Sequence, residues 1–353
     1  MNSDGLTSGA QSTSAAETSV LLSTQPQSVW QQATRRGLLG SLVCVAFLWC
    51  LYAWQPDLLA ALCVLPVWTW LLVGLTGHLV TIGSRKWRHW KLSAVAWIIF
   101  GGVFCDEWPS VVRQLAPTKV PQDNERELAI VSMNCLTGKW QMFPEFIELR
   151  PDLILLQESP NQRKLEPLAS DLYGDEGAVI SSRGCSIVAR GELVLDSDHS
   201  TPLLTIAYWT PPGGERTLVV SLRLTHSPIR VDLWRGDCWG EHQACRELHR
   251  EQLAPLLALM KSLPSDLPVI VGGDFNTPAR SSIVRPLEES LIDTFSDSGR
   301  GWGNTITRDY PFHRIDSIWV SPHFRPLASQ THITPHSDHR MVHSQVAIPR
   351  KKQ

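Results

Sequence analysis

Leu267-Pro268-Val269-Ile270-Val271-Gly272-Gly273-Asp274-Phe275-Asn276-Thr277-Pro278 is a short apolar run that meets two glycines and then delivers Asp274 and Asn276 to a loop. A carboxylate and a carboxamide two residues apart at a strand end can face one ligand. The same letters alone also describe an ordinary Gly-Asp-x-Asn turn after a buried strand, and the rest of the C-terminal half separates the two readings. Leu128-Ala129-Ile130-Val131-Ser132-Met133-Asn134-Cys135 alternates as a strand ending in Asn134, and Pro151-Asp152-Leu153-Ile154-Leu155-Leu156-Gln157-Glu158 reads as a buried strand ending in Glu158. His313-Arg314-Ile315-Asp316-Ser317-Ile318-Trp319-Val320 is a further strand carrying a carboxylate, and Ser337-Asp338-His339-Arg340-Met341-Val342 sets Asp and His side by side before a last apolar run. Apolar strands tipped with these groups supply what a divalent-metal phosphate site needs. Carboxylates are hard ligands, amides hold phosphate oxygens, and a His paired to an Asp stabilises charge or moves a proton.

In this order, the Asn134 strand, Gln157-Glu158, Gly273-Asp274-Phe275-Asn276, Arg314-Ile315-Asp316 and Ser337-Asp338-His339 resemble the endonuclease/exonuclease/phosphatase superfamily. Pancreatic-type deoxyribonucleases, apurinic endonucleases, neutral sphingomyelinases and inositol polyphosphate 5-phosphatases belong to it. The resemblance covers residues 125–349 and implies an α/β fold, a four-layer α/β sandwich of two mixed sheets flanked by helices. It implies Mg²⁺, with Mn²⁺ as a substitute, bound mainly by Glu158, with Asn134 and Asp338 completing or water-bridging the metal shell. Asp274 resembles the carboxylate that orients and deprotonates the attacking water, and Asn276 the amide that holds the phosphate. His339 resembles the histidine that stabilises the pentacovalent phosphate or transfers a proton, and Asp316 the carboxylate that fixes its tautomer. Whether Asp274 or His339 is the base stays open at this level.

One position departs from the pattern. Many relatives carry His at the end of the strand where this chain has Val219-Val220-Ser221-Leu222-Arg223-Leu224-Thr225-His226, with Arg223 in the usual register and His226 three residues later. A shift of three changes strand face, so the two do not interchange. Arg223 is read as a phosphate-facing substitute, since a guanidinium also satisfies phosphate oxygens; the alternative is a surface Arg and a turn His. Arg190 reads as a solvated charge, and Trp302 in Gly301-Trp302-Gly303 as an exposed aromatic turn. Residues 247–260 place Leu248, Leu253, Leu256, Leu257 and Met260 at helical spacing, enough to cover one face of a sheet.

The first third differs in kind. Residues 1–34 are rich in Ser, Thr, Gln and Ala and are expected to be disordered. Residues 37–54 and 58–82 are almost wholly apolar, at lengths that suit membrane helices. A third run, residues 92–105, is shorter and is read as a span because Trp90, Lys91 and Trp108 flank it like interfacial anchors. The expected organisation is a tail over 1–34, an anchor of two to three transmembrane helices over 35–105, a linker over 106–123 and a catalytic domain over 124–353. Arg35 and Arg36 precede the first run, and Arg85, Lys86, Arg88 and Lys91 follow the second, so both flanks are expected to be cytoplasmic. Three spans then put the catalytic domain outside the cytoplasm, and two put it inside; Asp106 and Glu107 after the third run favour three. No small-residue cleavage site ends the first run, which argues against a cleavable signal peptide.

Residues 121–353 hold 29 Asp and Glu against 24 Lys and Arg. A protein that grips long duplex DNA usually presents a basic surface, so this balance weakens a nucleic-acid substrate and leaves a lipid head group open beside it. Cys238 and Cys245 would pair only if their segment is a loop, and the cysteine spacing fits no zinc site. The expected activity is that of a membrane-anchored, Mg²⁺-dependent phosphoric ester hydrolase, a phosphodiesterase acting by in-line attack of an activated water. The alternative is a catalytically silent binding or scaffold protein on the same fold. The bilayer and a phosphate ester are the expected partners, and no protein partner is inferable.

Overall fold

The computed structural model describes residues 29–79 and 87–350. Twelve strands among them form two sheets. The first sheet contains β1 (Glu125–Asn134), β2 (Leu153–Gln157), β3 (Gly177–Ser181), β4 (Cys185–Arg190), β11 (Arg325–His332) and β12 (Met341–Pro349). The second contains β5 (Glu192–Leu195), β6 (Leu204–Thr210), β7 (Thr217–Arg223), β8 (Val269–Asp274), β9 (Ile292–Asp293) and β10 (Asp316–Val320). Their orders are β11-β12-β1-β2-β4-β3 and β5-β6-β7-β8-β10-β9. Only β1 with β2 and β7 with β8 run parallel, so both sheets are mixed. Helices α6 (Phe143–Leu149) and α7 (Gln162–Tyr173) cover the first sheet, and α8 (Gly236–Ser262) covers the second.

Period-two alternation builds the layers. In β2, Leu153 and Leu155 enter the core between the sheets, while Ile154 and Leu156 pack under the helices with Phe146 and Leu165. In β8, Ile270 faces the other sheet, while Val269 and Val271 meet Leu253 and Leu256 of α8. Each such leucine, fully buried, is worth about 1.5–3 kcal/mol. The result is the expected four-layer sandwich. Helix α8 starts eleven residues before the expected 247, and Leu248 lies on its exposed side. That extension settles the two cysteines, because seven helical steps put Cys238 and Cys245 roughly 10 Å apart, beyond the reach of a disulfide; both are free thiols.

The N-terminal third departs from the expected straight spans. Helix α1 (Val29–Trp54) begins within the stretch expected to be disordered, since Gln, Ala and Arg there are good helix formers; residues 1–28 lie outside the described residues. The second apolar run is broken. A single 3₁₀ turn (Asp57–Leu59) and α2 (Ala60–Cys63) are bent 69° from the helix that follows, α3 (Val67–Leu79). Pro66 sits at that break, where it has no N–H to continue the ladder. The end of this run, with Arg85 and Lys86, also lies outside the described residues. Helix α4 (Trp87–Phe104) holds the third run and turns 81° into α5 (Glu107–Arg113), so the stretch expected as a linker starts with a helix. Among the described residues one helix, over Arg35–Trp54, is long and apolar enough to cross a membrane, or up to three spans if each bent pair counts as one.

The short arms beyond these bends lie on the two-sheet domain. Asp57 pairs with Arg246 of α8 at 3.0 Å. Asp106 pairs with Arg314 at 2.7 Å and with Arg280 at 3.1 Å. Gln55 accepts from the Ser282 amide at 2.8 Å and donates to the Arg280 carbonyl at 2.9 Å.

Candidate active site

Register explains why the polar tips meet. Along β1 the inter-sheet face reads Leu128, Ile130, Ser132, Asn134; along β2 it reads Leu153, Leu155, Gln157. In the second sheet the same face carries Val219, Ser221 and Arg223 in β7, Ile270, Gly272 and Asp274 in β8, and Asp316, Ile318 and Val320 in β10. The C-terminal ends of β1, β2, β7 and β8 and the N-terminal end of β10 lie together, because Asp274 is paired with both Arg223 and Asp316. Apolar core therefore gives way to polar groups on one face at one edge. Glycine permits the approach. A Cβ on Gly272 would meet Leu155 Cδ1 at 2.6 Å, and one on Gly273, at φ +156°, would meet the Leu222 carbonyl oxygen at 1.9 Å.

Asn134 joins the two sheets. Its Nδ2 donates to Asp274 Oδ2 at 3.0 Å and to Glu158 Oε1 at 3.3 Å, while its Oδ1 accepts from the Leu136 amide. Glu158, just past β2, has φ +45° and also accepts from the Thr137 amide at 2.7 Å. Non-glycine residues in that backbone region are costly and collect at functional sites; Asn276, at φ +48°, is another. Arg223 Nη2 reaches Glu158 Oε1 at 2.8 Å, so the departing strand residue lies beside a candidate metal ligand, with its side chain 37% exposed. His226 lies past the end of β7, is exposed, and lines a cavity that also reaches Asn276 and Thr277.

Asp274 is buried and accepts from the Asn276 backbone at 2.9 Å and from Asn276 Nδ2 at 3.0 Å. The second Nδ2 proton of Asn276 goes to the Leu224 carbonyl at 2.8 Å. In this arrangement the Asn276 amide aims Asp274, so it has no donor left for a phosphate. On the next strand, Asp316 Oδ2 bonds His339 Nδ1 at 2.9 Å. Thr305 Oγ1 accepts from the amides of Ile315 and Asp316, and Ser337 bridges the His339 amide to the Asn134 carbonyl. Asp316 Oδ1 is buried without a partner. Asp274, Asp316 and His339 each bring a ligand atom within 4.8 Å of the others.

Charge follows from this packing. Burial first, and then the neighbouring Asp316 carboxylate, push Asp274 up to about 7. Burial works against a charged His339, but the Asp316 carboxylate outweighs it and raises the ring to about 10. The pairing at Nδ1 favours the charged ring, and no hydrogen bond to Nε2 is found among the described residues.

Eight of the nine residues singled out from sequence lie at this edge or in the chain beside it, and His226 does not. Asp338 is exposed, and among the described residues its side chain makes no hydrogen bond or ion pair with Asn134 or Glu158. Arg190 pairs with Glu176 in solvent, and Trp302 donates to the Pro311 carbonyl and meets Trp68 of α3 edge-on. Sequence reasoning placed Gln157 and Ser337 in the motifs but gave no role to them or to Thr305: the two hydroxyls carry no periodic signal, and the buried Gln157 bridges Ser132 and Ser221 beneath the site.

A model of the Endonuclease/Exonuclease/phosphatase family matches residues 134–339. An uncharacterised protein of Escherichia coli strain K12, YbhP, is 32% identical over 105 residues, covering 27% of this chain and 41% of that protein. The chain thus matches about two fifths of the length of this curated relative. A crystal structure of an endonuclease/exonuclease/phosphatase family protein from Bacteroides thetaiotaomicron has 15% identity and a TM-score of 0.50, covering 66% of this chain and all of that one. One from Bacteroides vulgatus has 15% identity and a TM-score of 0.49, covering 63% and 99%. At such identities the likeness concerns the fold.

Proposed function

Because this chain belongs to the endonuclease/exonuclease/phosphatase family, we propose that it is a metal-dependent hydrolase of phosphate esters, held at a membrane by its N-terminal helices. The observation that carries the reading is the edge where Asn134 links Glu158 to Asp274 while His339 is paired to Asp316. The donor set suits a hard cation: its oxygens come from carboxylates and an amide, one Asp316 oxygen is buried without a partner, and no thiolate is present among these groups. Glu158 with Asn134, and Asp338 through water, would hold Mg²⁺ or Mn²⁺, which when bound supplies charge neutralisation to the phosphate oxygens.

The residues divide the remaining work. Asp274 takes a proton from the attacking water, whose oxygen adds to phosphorus opposite the leaving oxygen. Asn276 fixes the aim of that carboxylate. The cationic His339, oriented by Asp316, offers Nε2–H to a phosphoryl oxygen or to the leaving oxygen, and the alcohol departs with a proton. A base near neutrality beside a cationic ring favours Asp274 over His339 as base. The same retained set argues against a silent scaffold.

The direct test uses the full chain in detergent micelles with bis(4-nitrophenyl) phosphate. Hydrolysis should depend on Mg²⁺, fall at least about ten-fold on chelation and return when the ion is restored. Turnover that survives chelation, or none with the ion present, would remove the reading.

Arg223 contributes through charge. Its guanidinium lies on Glu158 and faces the space between the sheets, so a phosphate oxygen can share it. Arg223→Ala is expected to raise KM about ten-fold or more, the worth of one hydrogen bond to a charged group, with a smaller change in kcat. An unchanged KM in steady-state kinetics would assign Arg223 to structure alone.

We also propose that three spans cross the membrane and that the catalytic domain lies outside the cytoplasm. The basic residues at the start of α1 and before α4, and the acidic Asp106 and Glu107 after it, support that orientation.

A further inference from the structure

The N-terminal helices hold one side of the candidate site. Gln55, the first residue past α1, bonds the Arg280 carbonyl and the Ser282 amide on the loop that continues from Asn276. Among the described residues neither backbone group has another hydrogen-bond partner. Between these ties and Asp274 the loop is short, and it is bonded to the segment that leads into Asp316: the amides of Phe275 and Ala279 donate to the carbonyls of Ile315 and Arg314. From α5, Glu107 accepts from Asn304 Nδ2 at 2.7 Å, next to the Thr305 hydroxyl that accepts from the Ile315 and Asp316 amides. The helix ends therefore brace the half of the site that contains Asp274 and Asp316. The hydrogen bonds of Asn134 and Glu158, by contrast, stay within the two-sheet domain among the described residues.

The backbone of Gln55 points the same way. Its φ is +45° and it is 9% exposed. Its amide closes the last turn of α1 on the Leu51 carbonyl at 2.7 Å, a left-handed helix end at which glycine or asparagine is the usual residue. Ending the helix would be served better by glycine, which meets no Cβ penalty there. What glutamine adds is its reach: Oε1 and Nε2 both go to the loop, while its carbonyl accepts from Arg246, whose guanidinium also meets the Ser282 hydroxyl. Asn276 aims Asp274 through its own N–H and through Nδ2. A displaced loop is therefore felt first in the aim of that carboxylate, and a shift of about 1 Å far from the chemistry can cost about 100-fold in rate.

We infer that Gln55 is a positioning residue of the phosphate-ester site: by fixing the loop that follows Asn276 it sets the aim of Asp274, and the end of α1 thereby regulates turnover. This rests on the hydrolase reading above for the reaction, but the hold on the loop is measured separately from turnover. Gln55→Gly removes both bonds to the loop and suits the left-handed helix end; Gln55→Asn suits it too and withdraws the amide by one methylene. In the full chain in detergent micelles with Mg²⁺, each variant is expected to lower kcat for bis(4-nitrophenyl) phosphate at least about ten-fold, with KM within about two-fold of wild type. The unfolding midpoint should hold, because the relieved helix end offsets the lost bonds. Lys119→Met cuts a 2.7 Å tie from the chain after α5 to Asp297, away from the loop, and should leave kcat unchanged. Hydrogen exchange followed by mass spectrometry should show the amides of residues 280–284 exchanging at least about ten-fold faster in both Gln55 variants, with those of α9 unaltered. Unaltered exchange in the loop would overturn the inference. So would a kcat that stays within about two-fold of wild type while the loop exchanges faster, or a rise in KM at constant kcat. An equal loss of kcat in Lys119→Met would assign the effect to the interface as a whole and sink the role of Gln55. A wild-type chain without turnover would remove the hydrolase reading, and the exchange rates would then decide by themselves whether α1 holds the loop.

Discussion

Asp274→Asn is expected to lower kcat for Mg²⁺-dependent phosphate-ester hydrolysis by about 100- to 10,000-fold, the range spanned by loss of a positioned general base. The substitution keeps the shape of the side chain, so the approach of the Asn276 backbone at 2.9 Å can persist while the proton acceptor is lost. Burial and the adjacent Asp316 raise Asp274 to about 7, which suits the proposed base, and neither is disturbed by an isosteric amide. Steady-state kinetics on the full chain, with circular dichroism to verify the fold, would measure this. A variant retaining more than about a tenth of the wild-type kcat would fall outside general-base catalysis and assign the proton to another group.

Arg314→Met should destabilise the protein by about 3–5 kcal/mol, the usual cost of leaving buried charge without its partner. The Arg314 side chain is 2% exposed and pairs with Asp106 at 2.7 Å and Asp293 at 2.8 Å. Asp293 in turn caps α9 (Thr294–Ser298) by accepting from the amides of Phe295 and Ser296. Removing the guanidinium leaves one carboxylate at the end of the N-terminal helices and one at the cap without a cation. The effect should depend on pH. Burial alone would raise Asp106, but the Arg314 and Arg280 guanidiniums hold it below the usual carboxylate range. A depressed folded value means that the contribution is fully present above the unfolded value of about 3.9 and is lost as pH falls through the folded one. The gap between wild-type and variant unfolding midpoints in detergent should therefore be widest at neutral pH and shrink below about pH 4. A gap that stays constant down to strongly acidic pH would mean that Asp106 is not the partner that matters.

Both expectations involve residues that the sequence placed on strands, yet they differ in how they were legible. Asp274 follows a β-strand whose apolar residues and two glycines are contiguous, so its position at a tip could be read locally. Arg314 lies in the same kind of segment, but its role depends on Asp106, 208 positions away.

The sequence by itself determined the apolar strands and their polar tips, because a period of two and abrupt apolar-to-polar changes are local properties of the chain, and the two-sheet sandwich followed from the family resemblance that those tips carry. Tertiary structure alone decided that Arg223 lies on Glu158, that Asn276 spends its donors on Asp274 and Leu224, and that the apolar helices end in bent arms bonded to the two-sheet domain. The physical reason is that charge pairs and donor counts depend on which distant elements share a few ångströms, and periodicity carries no information about that distance. The bend at Pro66 shows the same division: proline marks where a helix can break, whereas the contacts made by α2 on α8 fix where the broken piece lies.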